Sequence, residues 1–207
     1  MLKVWGRVNS INVQKVMWAV GELKLKHERV DAGGAFGKTK DPDYVKMNPN
    51  SLVPTIDDDG FVLWESNSIV RYLGAKYGAG GLWPSDPARR ADTDKWLDWQ
   101  LATISPALFP AFMGLIRTPA EQRDHKAIEA SIARCSELFG IFDAQLGKRE
   151  FIGGSTLTIG DIAMGCAVNR WYLMPVERPS LPNTEAYLER LKKRPAFVQH
   201  VASIKLT

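Results

Sequence analysis

Cysteine is scarce in this 207-residue chain: there are two, Cys135 and Cys166, far apart and without paired spacing. They build no disulfide framework and no zinc set, and such usage fits a reducing cytoplasm. The histidines His27, His125 and His200 show no ligand spacing either, so no metal site is expected. Blocks of like charge are missing: 27 basic and 23 acidic residues are spread along the chain and leave a net charge of +4. That excludes a nucleic-acid-binding arm, and the lysines near Lys24 and Arg190 read as solvated helix faces. No apolar run approaches the roughly 18 residues that span a membrane, so no membrane partner is expected. The opening MLKVWGRV reads as a strand and not as a signal peptide. Tyrosine is absent before Tyr44.

What is present is an ordinary globular balance, 45% hydrophobic and 24% charged, in a chain long enough for one large or two small domains. Residues 2–8 read as a first strand, interrupted by Asn9-Ser10-Ile11-Asn12, residue types that cap helices. Val13, Val16, Met17 and Val20 then share one helical face, ending near Leu25, and residues 28–31 supply a second strand. Strand, helix, strand implies a parallel pair with a right-handed crossover. The loop GGAFGKTK is glycine-rich and basic, and Asp41-Pro42-Asp43 opens a short helix. Two further strands and a helix complete the order βαβ–α–ββα, a thioredoxin-like α/β domain over residues 1–78. The segment GAGGLWPSDP is rich in glycine and proline and reads as a linker, residues 79–87. Residues 88–207 read as an all-α domain. In it Pro106 and Pro110 kink a long helix, and Thr118-Pro119-Ala120-Glu121 is a capping-box start for the next. Thr158 with Asp161 caps another, with Leu157 and Ile162 at staple spacing.

Residues 48–73, NPNSLVPTIDDDGFVLWESNSIVRYL, carry the most specific signal. Pro54 has no N–H and cannot join a central ladder, which leaves the N–H and C=O of Val53 for a peptide-like ligand to pair with as an added strand. At the helix opening on Ser66, free N–H groups and the positive dipole end suit a carboxylate, and Glu65 beside it suits an ammonium. A ligand with a peptide backbone at one end and a free amino acid at the other fits both.

The pair NPNSxVPTI and WESNSI resembles the glutathione-binding region of the glutathione S-transferase family, and the resemblance extends over nearly the whole chain. It implies binding of the cysteinyl backbone at Leu52, Val53 and Pro54, and of the γ-glutamyl group at Glu65, Ser66 and Asn67. The family holds the glutathione thiolate with a tyrosine, a serine or a cysteine near the end of the first strand. Tyr44 and Cys135 come too late, so the chain resembles the serine type, like theta, tau and zeta members and their bacterial kin. Ser10, ahead of the pair Lys15-Val16, is the implied sulfur contact, with Asn12 as support or rival. An unperturbed thiol titrates near 8.5, and lowering it by roughly two units takes about 2.7 kcal/mol. One charge-assisted hydrogen bond of about 1.5–3 kcal/mol and a helix N-terminus of about 0.3–1 kcal/mol suffice. Many relatives place a basic or amide residue just before the Val-Pro step; here it is Leu52, so the glycine carboxylate falls to Lys38.

The implied activity is conjugation of glutathione, a co-substrate and not a cofactor, to a small hydrophobic electrophile seated against Phe109, Phe112, Met113 and Trp171. The same thiolate would serve isomerisation, dehalogenation or peroxide reduction. A non-catalytic interaction module on the same fold is the alternative from another class. A cytoplasmic homodimer is expected from the family, with Phe61 and Trp64 at its interface.

Overall fold

The structure, a computed structural model, describes residues 1–207. The first unit contains β1 (Leu2–Trp5), α1 (Ile11–Glu22), β2 (His27–Val30), α2 (Pro42–Met47), β3 (Thr55–Asp58), β4 (Phe61–Trp64) and α3 (Ser66–Tyr77). The four strands form one sheet in the order β2-β1-β3-β4. β1 runs parallel to β2, in register Leu2 with His27 through Trp5 with Val30, while β1–β3 and β3–β4 are antiparallel. Alternation does the sorting: Leu2, Val4 and Ile56 are buried on the face covered by helices, and Lys3 faces solvent. β1 and β4 therefore point the same way, and the helices that follow them, α1 and α3, begin at one edge of the sheet.

The expected apolar face of α1 is buried, but so are Gln14, Lys15, Trp18 and Ala19. The reason is that α1 is enclosed from two sides, by its own sheet and α3 and by the helical unit. Its last turn comes earlier than Leu25, because Lys24 takes a left-handed conformation with φ 54° and turns the chain into β2.

The helical unit follows as α4 (Pro87–Trp99), α5 (Ser105–Phe112), α6 (His125–Leu146), α7 (Ile159–Leu173), α8 (Pro182–Lys192) and α9 (Pro195–Phe197). α4 and α5 form one path through two wide π-type turns, Gln100–Ile104 and Met113–Arg117. Pro106 and Pro110 lack the N–H of a regular ladder, and the wider turns absorb that loss, so the helix bends without breaking. The span Pro87–Arg117 is long and apolar enough to cross a bilayer by length and composition, contrary to the expectation of no such run. It packs against α6 and α7 as a helix of the domain.

The capping box at Thr118 does not start α6. The Thr118 hydroxyl donates to the Met113 carbonyl at 3.0 Å, and α6 begins at Asp124, whose side chain accepts from the Ala127 N–H at 3.0 Å. At α7 the cap forms: the Asp161 carboxylate accepts from the N–H and hydroxyl of Thr158 at 2.8 and 3.0 Å. It also accepts from the Ile152 N–H at 2.8 Å and the Tyr187 hydroxyl at 3.1 Å.

One apolar core runs through both units. Trp18 of α1 is fully buried and meets Phe197 edge-on with ring centroids 4.7 Å apart. It rides over Gly165 of α7, where a methyl group would lie 2.8 Å from the indole and 2.7 Å from Leu191. At the rim, Glu22 takes both Nε and Nη2 of Arg194 at 2.8 and 2.6 Å. Cys135 and Cys166 are buried, and burial pushes both thiols up to about 12.

Candidate active site

The loop before β3 is fixed from within. Asn48 and Tyr44 are buried, and the Leu52 carbonyl accepts from the Tyr44 hydroxyl at 2.6 Å and the Asn48 amide at 2.9 Å. Both also reach the Thr55 hydroxyl, at 2.8 and 3.1 Å. Val53 follows, joined to buried Pro54 by a cis peptide bond. Its backbone N–H and C=O enter no backbone hydrogen bond. The Leu52 side chain is 66% exposed and touches no part of the cleft described below.

At the next strand end Glu65 occupies φ 71°, ψ 108°, a strained conformation for a non-glycine residue, and sits at the N-cap of α3 without capping it. Its carboxylate is exposed and unpaired. Ser66 is buried and its hydroxyl donates to the Asn12 side-chain carbonyl at 3.3 Å. The N-termini of α1 and α3 are thereby brought together, with uncapped N–H groups at both.

Ser10 is the N-cap of α1 by position, yet its hydroxyl makes no capping hydrogen bond. It faces a cleft of about 250 Å³ between the two units. Asn12 lines the same cleft, and its amide N–H groups are free because Ser66 engages only its oxygen. Leu108, Phe109 and Phe112 form the apolar wall, with Phe109 61% exposed and Phe112 buried. A larger groove of about 530 Å³ lies on the seam beside Leu23, Gly81 and Phe151, away from both helix N-termini, and its Glu22 and Arg194 are paired with each other.

Two of the expected wall residues lie elsewhere. Trp171 is fully buried, stacked on Phe139 at 5.5 Å inside the helical core, and Met113 lies off the cleft lining. Asn67 needs a similar correction. Its side chain turns into the seam between the units, where it accepts from Lys15 Nζ at 2.8 Å and donates to the Leu97 carbonyl at 2.7 Å. Only its backbone N–H belongs to the helix opening. Lys38 is exposed, at φ 66°, and pairs with nothing.

Lys15 itself is fully buried and in no ion pair; its ammonium donates to Asn67 and, at 3.1 Å, to Gln100 Oε1. Burial pushes it down to about 8. Gln100 passes the contact on to Ser105 Oγ at 2.6 Å, and Ser105 lines the cleft. Lys15 thus braces the two units behind the site.

Sequence reasoning missed three arginines of the cleft, Arg7, Arg117 and Arg170. Arg170 left a signal, as a lone cation in the apolar run IGDIAMGCAVNRWYL. Arg7 and Arg117 left none, since nothing local says that their elements converge.

A thioredoxin-like unit with two uncapped helix N-termini and a free hydroxyl at one end of its sheet, closed over by a helical unit, defines a two-unit protein with a small-ligand cleft at the seam. Comparison with known proteins narrows the class. The description "Glutathione S-transferase, N-terminal domain" matches residues 1–75, and "Glutathione S-transferase, C-terminal domain" matches residues 101–195. The chain is 44% identical over 198 residues to glutathione S-transferase GstB of Escherichia coli, covering 95% of each. It is 31% identical over 196 residues to glutathione S-transferase D7 of Drosophila melanogaster, covering 93% of this chain and 84% of that one. Among solved structures, the theta class glutathione S-transferase of Xanthomonas axonopodis pv. citri with glutathione bound superposes with a TM-score of 0.95 at 41% identity, covering 100% of this chain and 99% of that one. The chain belongs to the glutathione S-transferase family, and its fold is the one expected from the order of its elements.

Proposed function

We propose that this glutathione transferase binds glutathione along Val53 and the N-terminus of α3, holds its sulfur as a thiolate at Ser10, and directs it at an apolar electrophile in the cleft. The observation that carries the reading is the unspent Ser10 hydroxyl: it stands at a helix N-terminus and caps nothing, so it can donate to a sulfur anion. The free N–H and C=O of Val53 suit the cysteinyl backbone, and Ser66 with the N–H groups of α3 suits the γ-glutamyl carboxylate. Exposed Glu65 suits its ammonium. Lys38, one of two exposed and unpaired lysines of the neighbouring loop with Lys40, is assigned to the glycine carboxylate. The electrophile rests on Leu108, Phe109 and Phe112. Glutathione is the co-substrate, and the enzyme works as a cytoplasmic homodimer.

The thiolate absorbs in the ultraviolet, so the ionisation of bound glutathione can be followed across pH in wild type, Ser10→Ala and Asn12→Ala. In wild type the bound thiol titrates well below the free one, and Ser10→Ala returns it by roughly one to two units, the share of one charge-assisted hydrogen bond. An unchanged value in Ser10→Ala together with a raised one in Asn12→Ala moves the role to Asn12. Absence of glutathione binding at millimolar concentration refutes the site.

A further inference from the structure

Arg7, Arg117 and Arg170 reach the cleft from three separate elements: the turn after β1, the end of the bent helix, and α7. No aspartate or glutamate pairs with any of them. Arg7 gives Nη1 to Asn9 at 2.8 Å, and Arg117, the outermost of the three, gives Nε and Nη2 to the main-chain oxygen of Thr207, the last residue, at 3.2 and 3.0 Å. The Nε atoms of Arg7 and Arg170 are both buried without a hydrogen-bond partner. Burial, with repulsion from Arg117 and Arg7, pushes the Arg170 guanidinium down to about 10. A desolvated guanidinium that lacks a counter-ion, as Arg170 does, is destabilising, and the less buried Arg7 and Arg117 add repulsion to it. Arg170 and Arg117 also lie over the ring of Phe112, at 4.2 and 4.9 Å from its centroid, so the apolar wall and the cationic end form one continuous surface.

We infer that the electrophile handled at this site carries an anionic group, a carboxylate on a compact apolar body, and that Arg170, Arg7 and Arg117 receive it. This rests on the reading above and names the substrate class for it. The cleft volume of about 250 Å³ sets the scale: an apolar cavity of ~150 Å³ holds benzene, so a single substituted ring fills this one. With the carboxylate among the arginines and the ring against Phe112, the reactive carbon lies toward Ser10. For an aryl chloride, the thiolate sulfur forms the new C–S bond, the C–Cl bond breaks, and chloride leaves with the electron pair. The thiol proton has already gone to solvent. The arginines act on the far end of the substrate and take no part in bond making. The glycine carboxylate of glutathione is the competing anion, but Arg117 and Arg170 stand on the helical unit, away from the Val53 loop.

Two matched probe pairs decide this. Calorimetric binding of 3,5-dinitrobenzoate and 3,5-dinitrobenzamide is measured on the whole protein without glutathione. Turnover is measured with the 4-chloro derivatives of both. In wild type the benzoate binds at least tenfold tighter than the amide, and its kcat/KM is higher by a similar factor. Arg170→Met reduces either ratio to within threefold. Should that variant fail to fold, the more exposed pair Arg7→Gln with Arg117→Gln gives the same readout. Equal binding of the two probes by wild type overturns the inference, as does a rise in the KM for glutathione with an unchanged preference for the benzoate. Because the binding ratio is read without glutathione, it judges the anion site independently of whether Ser10 activates a thiol.

Discussion

Replacing Lys15 with methionine tests how the two units are braced. The ammonium is fully buried, donates at 2.8 and 3.1 Å to the neutral amides of Asn67 and Gln100, and is pushed by burial from 10.5 down to about 8. A gap of 2.5 pH units, at about 1.36 kcal/mol each, makes the charged form about 3 kcal/mol worse placed in the fold than in the unfolded chain. The sign follows from proton counts. Below pH 8 both states hold the proton and the full penalty stands. Between about 8 and 10.5 the unfolded chain holds more protons, so stability rises with pH as the penalty is relieved. The two thiols, pushed up to about 12, oppose this from about pH 8 upward as unfolded cysteine ionises, but wild type and Lys15→Met share them, so they cancel in the difference. Urea denaturation at pH 7, 8 and 9, at fixed protomer concentration, therefore isolates Lys15. The wild-type stability minus that of Lys15→Met should rise by about 1.3 kcal/mol from pH 7 to pH 9. A difference that stays constant over that window refutes a depressed Lys15. Methionine fills most of the volume, so the offset at pH 7 reports the net of two lost amide contacts and the relieved burial penalty.

Two further outcomes follow from the core. Gly165→Ala gains up to about 1 kcal/mol of helix propensity but forces a methyl against Trp18 and Leu191, an overpacking of about 1–3 kcal/mol. Because both neighbours are fully buried, the steric loss wins, and the urea midpoint falls; a neutral or higher midpoint would show that α1 can shift away from α7. Asp161→Ala strands the buried N–H groups of Ile152 and Thr158 and lowers stability by about 3–5 kcal/mol. A melting curve within a few degrees of wild type would mean that water or a rearranged turn replaces the carboxylate.

Much of this architecture was written locally. The period of Val13, Val16 and Val20 and the Thr158–Asp161 pair each state a local preference that the fold keeps. The start of α6 shows the limit: the Thr118 hydroxyl turns back to the Met113 carbonyl at the end of the preceding helix, and the cap falls to Asp124. The proposed glutathione contacts Val53, Glu65 and Ser66 could be singled out together because they lie close along the chain. Asn67 was misread although the helix could have warned of it, since neighbours about 100° apart do not present side chains to one ligand. Trp171 and Phe112 share the same apolar spacing, and no period says which faces the core and which the cleft. The arginine cluster was hidden for a different reason: it exists only where three elements separated by long stretches of chain converge.

The burial of Cys135 and Cys166 has a bearing on survival during turnover. An electrophile that reacts with one thiolate reacts with others, and reaction rate follows the thiolate fraction. With both thiols pushed up to about 12, only about one in 100,000 is ionised at neutral pH. Neither is reachable from solvent. The protein thus offers its substrates a single competent sulfur, the one the ligand brings, and its own chain is spared alkylation by the compounds it processes.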